Sequence, residues 1–268
     1  MMNALLILLA SALYGAALLA LLAGFRGALE LQRAERLGLR LAWPAAALHA
    51  LLLWQGSWTT QGLNLSVLNA TSLVAWLMTV MLLLATRRQP VQSLGLIAFP
   101  FAGLAVLAAG FLGVPEQTLV PIGAPVDLHI ISSVLAYAVL GLATAQAVLL
   151  AWQEASLRRR RAGAVLGILP PLQSMEGLLF QLLATGFALL SVSLLTGWLF
   201  VDNLFAQDLV HKTVLSMIAW LVFAGLLIGR WQAGWRGRTA TRWTLAGVLL
   251  LALAYFGSKI VLEVILVG

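Results

Sequence analysis

The sequence predicts an all-α polytopic membrane protein, a bundle of eight transmembrane helices with both termini on the outer side. Three observations carry this. Of the 268 residues, 62% are apolar and only 9% charged, and the mean hydropathy is +1.00; no water-soluble fold of this length manages with so little charge. Eight apolar runs reach the roughly 20 residues that a helix needs to cross the hydrocarbon core. Every arginine falls in alternate connections between those runs, as the positive-inside rule requires. The runs fill most of the chain, so one membrane domain over 1–268 is expected, with no room for a soluble domain.

The elements follow in order. The first run, roughly 3–24, has no basic segment before it and is too long for a signal-peptide core. It reads as a retained helix with its N-terminus outside. The second, roughly 41–58, follows Arg26, Arg33, Arg36 and Arg40, and carries His49 about 13 Å deeper than Arg40. The third, roughly 65–86, has Trp76 near its middle and ends at Arg87 and Arg88. The fourth, roughly 93–113, leads into a loop, 114–126, that Pro115, Pro121 and Pro125 make stiff and non-helical. The fifth, roughly 127–152, opens at Asp127, which reads as an N-cap, and at His129. The connection 153–176 is the longest; it holds the run Arg158 to Arg161, and Pro170-Pro171 stops any helix there. The sixth helix is expected at roughly 177–200 and the seventh at roughly 210–230, opening beside Asp208 and His211 and carrying Trp220 near its middle. Arg230, Arg236, Arg238 and Arg242 precede the eighth, roughly 243–266, in which Lys259 and Glu263 read as an ion pair one turn apart. The other connections, 59–64, 114–126 and 201–209, hold no Lys or Arg. Most remaining tryptophans sit at helix ends as an aromatic belt.

A net charge of +7 on a soluble protein would suggest nucleic acid. Here the arginines set topology and meet anionic headgroups, so membrane lipid, not nucleic acid, is the expected partner. The chain has no cysteine, which removes disulfides, thiolate metal sites and thiol nucleophiles. It also lacks a Gly-rich phosphate loop, an H-E-x-x-H pair and a nucleophile elbow around serine. Soluble-type hydrolase and nucleotide chemistry are therefore not expected.

The polar residues inside the apolar runs are the candidates for function. The chain has three histidines. His129 and His211 open two helices that run in the same direction, so both are expected at the outer boundary, where they can converge over one cavity. Neutral imidazole is a good iron ligand, and a porphyrin iron takes one imidazole on each face. The plainer alternative makes both first-turn residues that meet headgroups or water. His49 lies near mid-membrane, where an ionisable group is costly and faces the bundle interior. It reads either as a second polar point along the same path or as a packing histidine bonded to a neighbouring helix. Trp76 and Trp220 read either as a deeper lining of that cavity or as packing.

Several stretches carry a family resemblance. "HIISSVLAY", His129 to Tyr137, is similar to the H-(x)7-Y helix start of the cytochrome c assembly family, the haem-handling membrane proteins that include CcsA, CcmC and HemX. "LLATGFALLSVSLLTGWLF", Leu182 to Phe200, and "HKTVLSMIAWLVFAGLLIGRWQAGWRG", His211 to Gly237, resemble the family's next two helices, with Trp220 and the Trp235-Arg236-Gly237 turn in register. "YFG", Tyr255 to Gly257, matches its last helix, and "NLSVLNATSLVAW", Asn64 to Trp76, matches more weakly. The ending is close to that of the YpjD branch of bacterial inner-membrane proteins. The resemblance implies a multi-pass protein of the bacterial inner membrane, with His129 an outer-face ligand of haem (heme). The chain departs from the family's haem lyases at three places. "FVDNLFAQDLVHK" has no tryptophan where they carry W-G-x-x-W-x-W-D, Ile228 stands where they carry a histidine, and no histidine follows the last helix. An accessory or haem-handling role without thioether formation is therefore expected, with His129 and His211 as the metal ligands. The rival expectation is a non-haem scaffold or regulatory subunit of another membrane protein, such as a transporter.

Overall fold

The computed structural model describes residues 2–59, 62–113, 119–120, 124–158, 169–200 and 207–257. Eight α-helices are present among them: α1 (Met2–Phe25), α2 (Leu31–Ser57), α3 (Val67–Ala85), α4 (Gly95–Leu112), α5 (Ala124–Arg158), α6 (Leu172–Phe200), α7 (Gln207–Ala233) and α8 (Arg238–Ala252). A 3-10 turn, Gln92–Leu94, leads into α4, and a single π turn, Leu253–Gly257, follows α8. Seven of these helices are long and apolar enough to cross a membrane. The stretch after Gly257, with Lys259 and Glu263, lies outside the described residues, as do Arg159 to Arg161.

Some boundaries differ from those the sequence suggests. The second helix starts ten residues early, at Leu31, because Arg33, Arg36 and Arg40 recur at helical spacing on an exposed face while Ala34 and Gly38 are buried on the other. These arginines are thus on the helix, not in a connection. The fifth helix starts at Ala124, so Pro125 sits in its first turn, where a missing N–H costs nothing. Asp127 is accordingly a first-turn residue rather than the N-cap, still at the end where the helix dipole favours a carboxylate. Asp208 lies inside α7 for the same reason. Ser66 does cap α3, its hydroxyl accepting from the Asn69 N–H.

Three short strands were not expected from an all-helical pattern. β1 (Trp58–Thr59), β2 (Gly62–Asn64) and β3 (Leu119–Val120) pair antiparallel in that order, with Trp58 opposite Leu63 and Asn64 opposite Leu119. They satisfy backbone groups that the connections would otherwise leave unpaired.

The chain forms two compact units. The front unit is Met1–Pro121 with Gln153–Pro171, and the rear unit is Ile122–Trp152 with Leu172–Gly268. In the front unit α1 packs on α2, α2 on α3, α3 on α4 and α4 on α1, which closes a ring. Lipid is as apolar as leucine, so burying leucine does not by itself drive helices together. Small residues do the joining instead: Ala10, Ala17, Ala34, Ala42, Ala45, Ala98 and Ala102 are fully buried.

The rear unit also closes a ring. Leu140 on α5 fills the space over Gly186 on α6. The Trp220 indole N–H on α7 donates to Ser191 Oγ on α6 at 2.8 Å, and Phe223 on α7 lies against Gly247 on α8. Tyr137 OH on α5 donates to the Leu251 carbonyl of α8 at 3.0 Å. The turn between α7 and α8 is fixed by charge: the Glu176 carboxylate, in the second turn of α6, accepts from the Gly237 N–H at 2.9 Å. Gly237 has φ +55°, a left-handed conformation that other residues adopt at a cost. Glu176 thus acts as an N-cap for α8 supplied by another helix. Replacing it with alanine is expected to lower stability by about 1 kcal/mol, read as a drop in the unfolding midpoint in detergent, with Glu176→Gln recovering part of it.

With eight helices, reporter tags inserted at 87–91, 155–165 and 232–240 are expected on the cytoplasmic side and tags at either terminus outside. A cytoplasmic reporter at Gly268 would contradict that count.

Candidate functional site

His49 and His129 each sit in a cluster of polar side chains, one in each unit. The front cluster sits in the ring of α1 to α4. His49 Nε2 lies 2.8 Å from Ser72 Oγ, and His49 Nδ1 lies 3.3 Å from Tyr14 OH. Tyr14 is in turn bonded to the Thr79 hydroxyl, whose own proton goes to the Ala75 carbonyl at 3.0 Å. All four side chains are buried. The Thr79 proton goes to the Ala75 carbonyl, which can only accept, and the His49 ring stands between the Ser72 and Tyr14 hydroxyls. Both ring nitrogens of His49 are therefore used within the protein. Tyr14 is edge-on to the imidazole and stacked on Phe99 of α4, so it touches all three neighbouring helices. Trp76 donates its indole N–H to the Ala46 carbonyl at 2.9 Å, fastening α3 to α2.

The rear cluster is built differently. His129 lies in the second turn of α5 and is half-buried. Its Nδ1 is 2.8 Å from the Ser193 carbonyl of α6. Because that carbonyl only accepts, Nδ1 carries the proton and Nε2 of the neutral ring keeps its lone pair. Among the described residues no hydrogen-bond partner meets Nε2. Ser133, one turn below, donates to the His129 carbonyl at 2.6 Å, so the 2.7 Å bond between Ser133 and Ser193 is donated by Ser193 Oγ. Thr196 Oγ1 shares its one proton between the Val192 carbonyl at 2.9 Å and the Ser193 carbonyl at 3.0 Å. Deeper in the unit, Trp220 stacks on Phe187 with ring centroids 5.2 Å apart. Its N–H is held by Ser191, so this indole has a packing partner on each side.

His211 is in the second turn of α7; its side chain lies outside the described residues. Trp76 and His49 belong to the front unit, and His129, His211 and Trp220 to the rear one. Sequence reasoning missed Ser133, Ser193, Thr196 and Gly197 as partners of His129, and Tyr14, Ser72 and Thr79 as partners of His49. One signal was present: 193, 196 and 197 fall at helical spacing as the small and polar residues of an otherwise leucine-rich stretch.

Among the described residues no three His, Asp or Glu side chains converge as they do around a bare metal ion. The rear cluster instead offers one imidazole whose Nδ1–H is spent on the Ser193 carbonyl and whose Nε2 meets no hydrogen-bond partner among the described residues. This is the donor that a planar, metal-centred group uses, because such a group brings its own equatorial ligands. The fold defines a multi-pass helical membrane protein, with His129 bonded to the Ser193 carbonyl near one end of the rear helices.

The chain belongs to the cytochrome c assembly protein family, whose model matches residues 39–266, from α2 onward. It is 37% identical over 224 residues to the Inner membrane protein YpjD of Escherichia coli (strain K12), covering 82% of each chain. A 28.8 kDa protein in the nifR3-like 5′ region of Azospirillum brasilense is 36% identical over 164 residues, 58% of this chain and 60% of that one. The Cytochrome c biogenesis protein CcsA of Synechococcus sp. (strain CC9605) is 25% identical over 214 residues, 69% of this chain and 70% of that one. No solved structure matches the chain. The protein is a multi-pass inner-membrane member of this family.

Proposed function

We propose that the protein is a haem-handling accessory factor of cytochrome c assembly, holding haem through His129 at the outer face and forming no thioether bond itself. The observation that carries this reading is the His129 tautomer: Nδ1–H is spent on the Ser193 carbonyl, and Nε2 is left as a donor. A carbonyl behind the ring is the usual support for a metal-ligating histidine. When bound, haem supplies an iron that accepts an imidazole on each open face. The residues of the chain position one such imidazole and shield its other nitrogen from water.

His211 is the proposed second donor. Around the rear ring α5 touches α6 and α8, and α7 touches the same two helices, which sets α5 across from α7. His129 and His211 both lie within the first two turns of their helices, which supports a common depth. The absence of tryptophan from "FVDNLFAQDLVHK" supports an accessory role over lyase chemistry.

The test is the colour of the purified protein. Preparations from haem-supplemented cells, extracted in mild detergent, should show a Soret band that co-elutes with the protein in gel filtration. A colourless preparation that carries a stoichiometric membrane partner would instead establish a scaffold or regulatory subunit. Thioether formation by this protein alone, with haem and an apocytochrome, would overturn the accessory assignment.

A further inference from the structure

We propose that the Ser193–Gly197 turn of α6 is a positioning element that locks the His129 ring in one tautomer and one orientation. The inference rests on the haem reading only for what Nε2 goes on to hold. Three contacts define the lock. The Ser193 carbonyl takes the Nδ1 proton at 2.8 Å and is itself held by the Thr196 hydroxyl, which stands 3.5 Å from the same nitrogen. The Ser193 hydroxyl donates to Ser133, one turn below His129 on α5, so the two helices are clasped at two points. Gly197 supplies the third. A Cβ at this position would lie 3.1 Å from Cε1 of the ring and 3.3 Å from Nδ1, but 4.0 Å from Nε2. The bare backbone of Gly197 is therefore a seat for the Nδ1 edge of the imidazole, and the Nε2 edge points off it.

The chemistry follows from this geometry. An unsupported imidazole shares its proton between two nitrogens and rotates about χ2. Here rotation would push the ring into α6 on one side and break the Nδ1–H bond on the other. The proton stays on Nδ1, and the lone pair of the neutral ring stays on Nε2. Gly197 and Ser193 act through the ring.

The experiment uses the full-length, haem-free protein in detergent, labelled with 15N-histidine and studied at pH 8, with the three histidines distinguished by single substitutions. In the native protein the His129 ring should show one protonated nitrogen, Nδ1, slow to exchange with water, and one unprotonated nitrogen. Gly197→Ala keeps a good helix former at the position but displaces the ring by a few tenths of an ångström. Its spectrum should show a second population carrying the proton on Nε2, with faster exchange. Ser133→Ala, which frees the Ser193 hydroxyl, should shift the populations in the same direction by less. Unchanged ring signals in Gly197→Ala would overturn the lock whether or not the protein binds haem. In the haem-loaded protein, Gly197→Ala should weaken haem retention by about 10-fold or more. A changed tautomer with unchanged retention would overturn the positioning role. A native protein that binds no haem would overturn the proposed function and leave the tautomer result standing.

Discussion

His129→Ala is expected to abolish haem retention while leaving the fold nearly intact. Loss of an axial donor should cost more than the 10–100-fold typical of outer-shell changes, so affinity should fall by about 100-fold or more, roughly 2.8 kcal/mol. The cost to stability is smaller. The Ser193 carbonyl keeps its share of the Thr196 proton after the imidazole is gone, so it is not left bare. Losing one such hydrogen bond costs about 1 kcal/mol. The measurement is the Soret absorbance per mole of protein after gel filtration, set beside the unfolding midpoint of the same preparation. His129→Gly with added imidazole should recover the band. His211→Ala should also weaken retention, and an intact band in the double substitution would reduce both histidines to helix-start residues.

His49→Ala should do the reverse. It removes a ring that is 1% exposed, and it strips Tyr14 and Ser72 of their shared partner. Interhelical hydrogen bonds in membranes are worth only about 0.6 kcal/mol on average, so the bonds alone would not make this a large effect. The cavity and the unsatisfied hydroxyls decide the outcome, for a combined loss of roughly 2–4 kcal/mol. The unfolding midpoint in detergent should fall by roughly 5–15 °C. Haem bound through the rear cluster should be retained in whatever fraction stays folded, because every hydrogen-bond partner of His129 lies in the rear unit. His49→Gln, which can still bond to one hydroxyl, should lose less. A drop under about 2 °C for His49→Ala would mean that the front cluster contributes little to holding its ring together.

The contrast between the two histidines marks what the sequence could reveal. Spans were legible, because each of seven helices must match the hydrocarbon thickness, and length and hydropathy report that directly. Their ends were not. The exposed arginines of α2 continue a helix that composition alone would end, and Pro125 is tolerated in the first turn of α5. His129 stood out as a candidate because histidine is rare in this chain, but Ser193 and Gly197, 64 and 68 residues further on, did not. Serine and glycine are common in membrane helices, and a backbone carbonyl leaves no trace in a sequence. His49 was equally conspicuous, yet its character depends on Tyr14 and Ser72, single polar residues on two other helices. One residue per helix has no periodicity, and only the packed ring shows which of them meet.

The bond between Glu176 and the Gly237 N–H joins residues 61 apart in the chain, and this has a consequence for biosynthesis. The carboxylate leaves the ribosome long before the amide it will hold. Until α8 arrives, a nascent rear ring presents that acid at the start of α6 without its backbone partner, and Tyr137 likewise waits for the Leu251 carbonyl. Helix α8 is therefore received at both ends by groups made before it. A chain arrested before Gly237 would leave both groups without these partners.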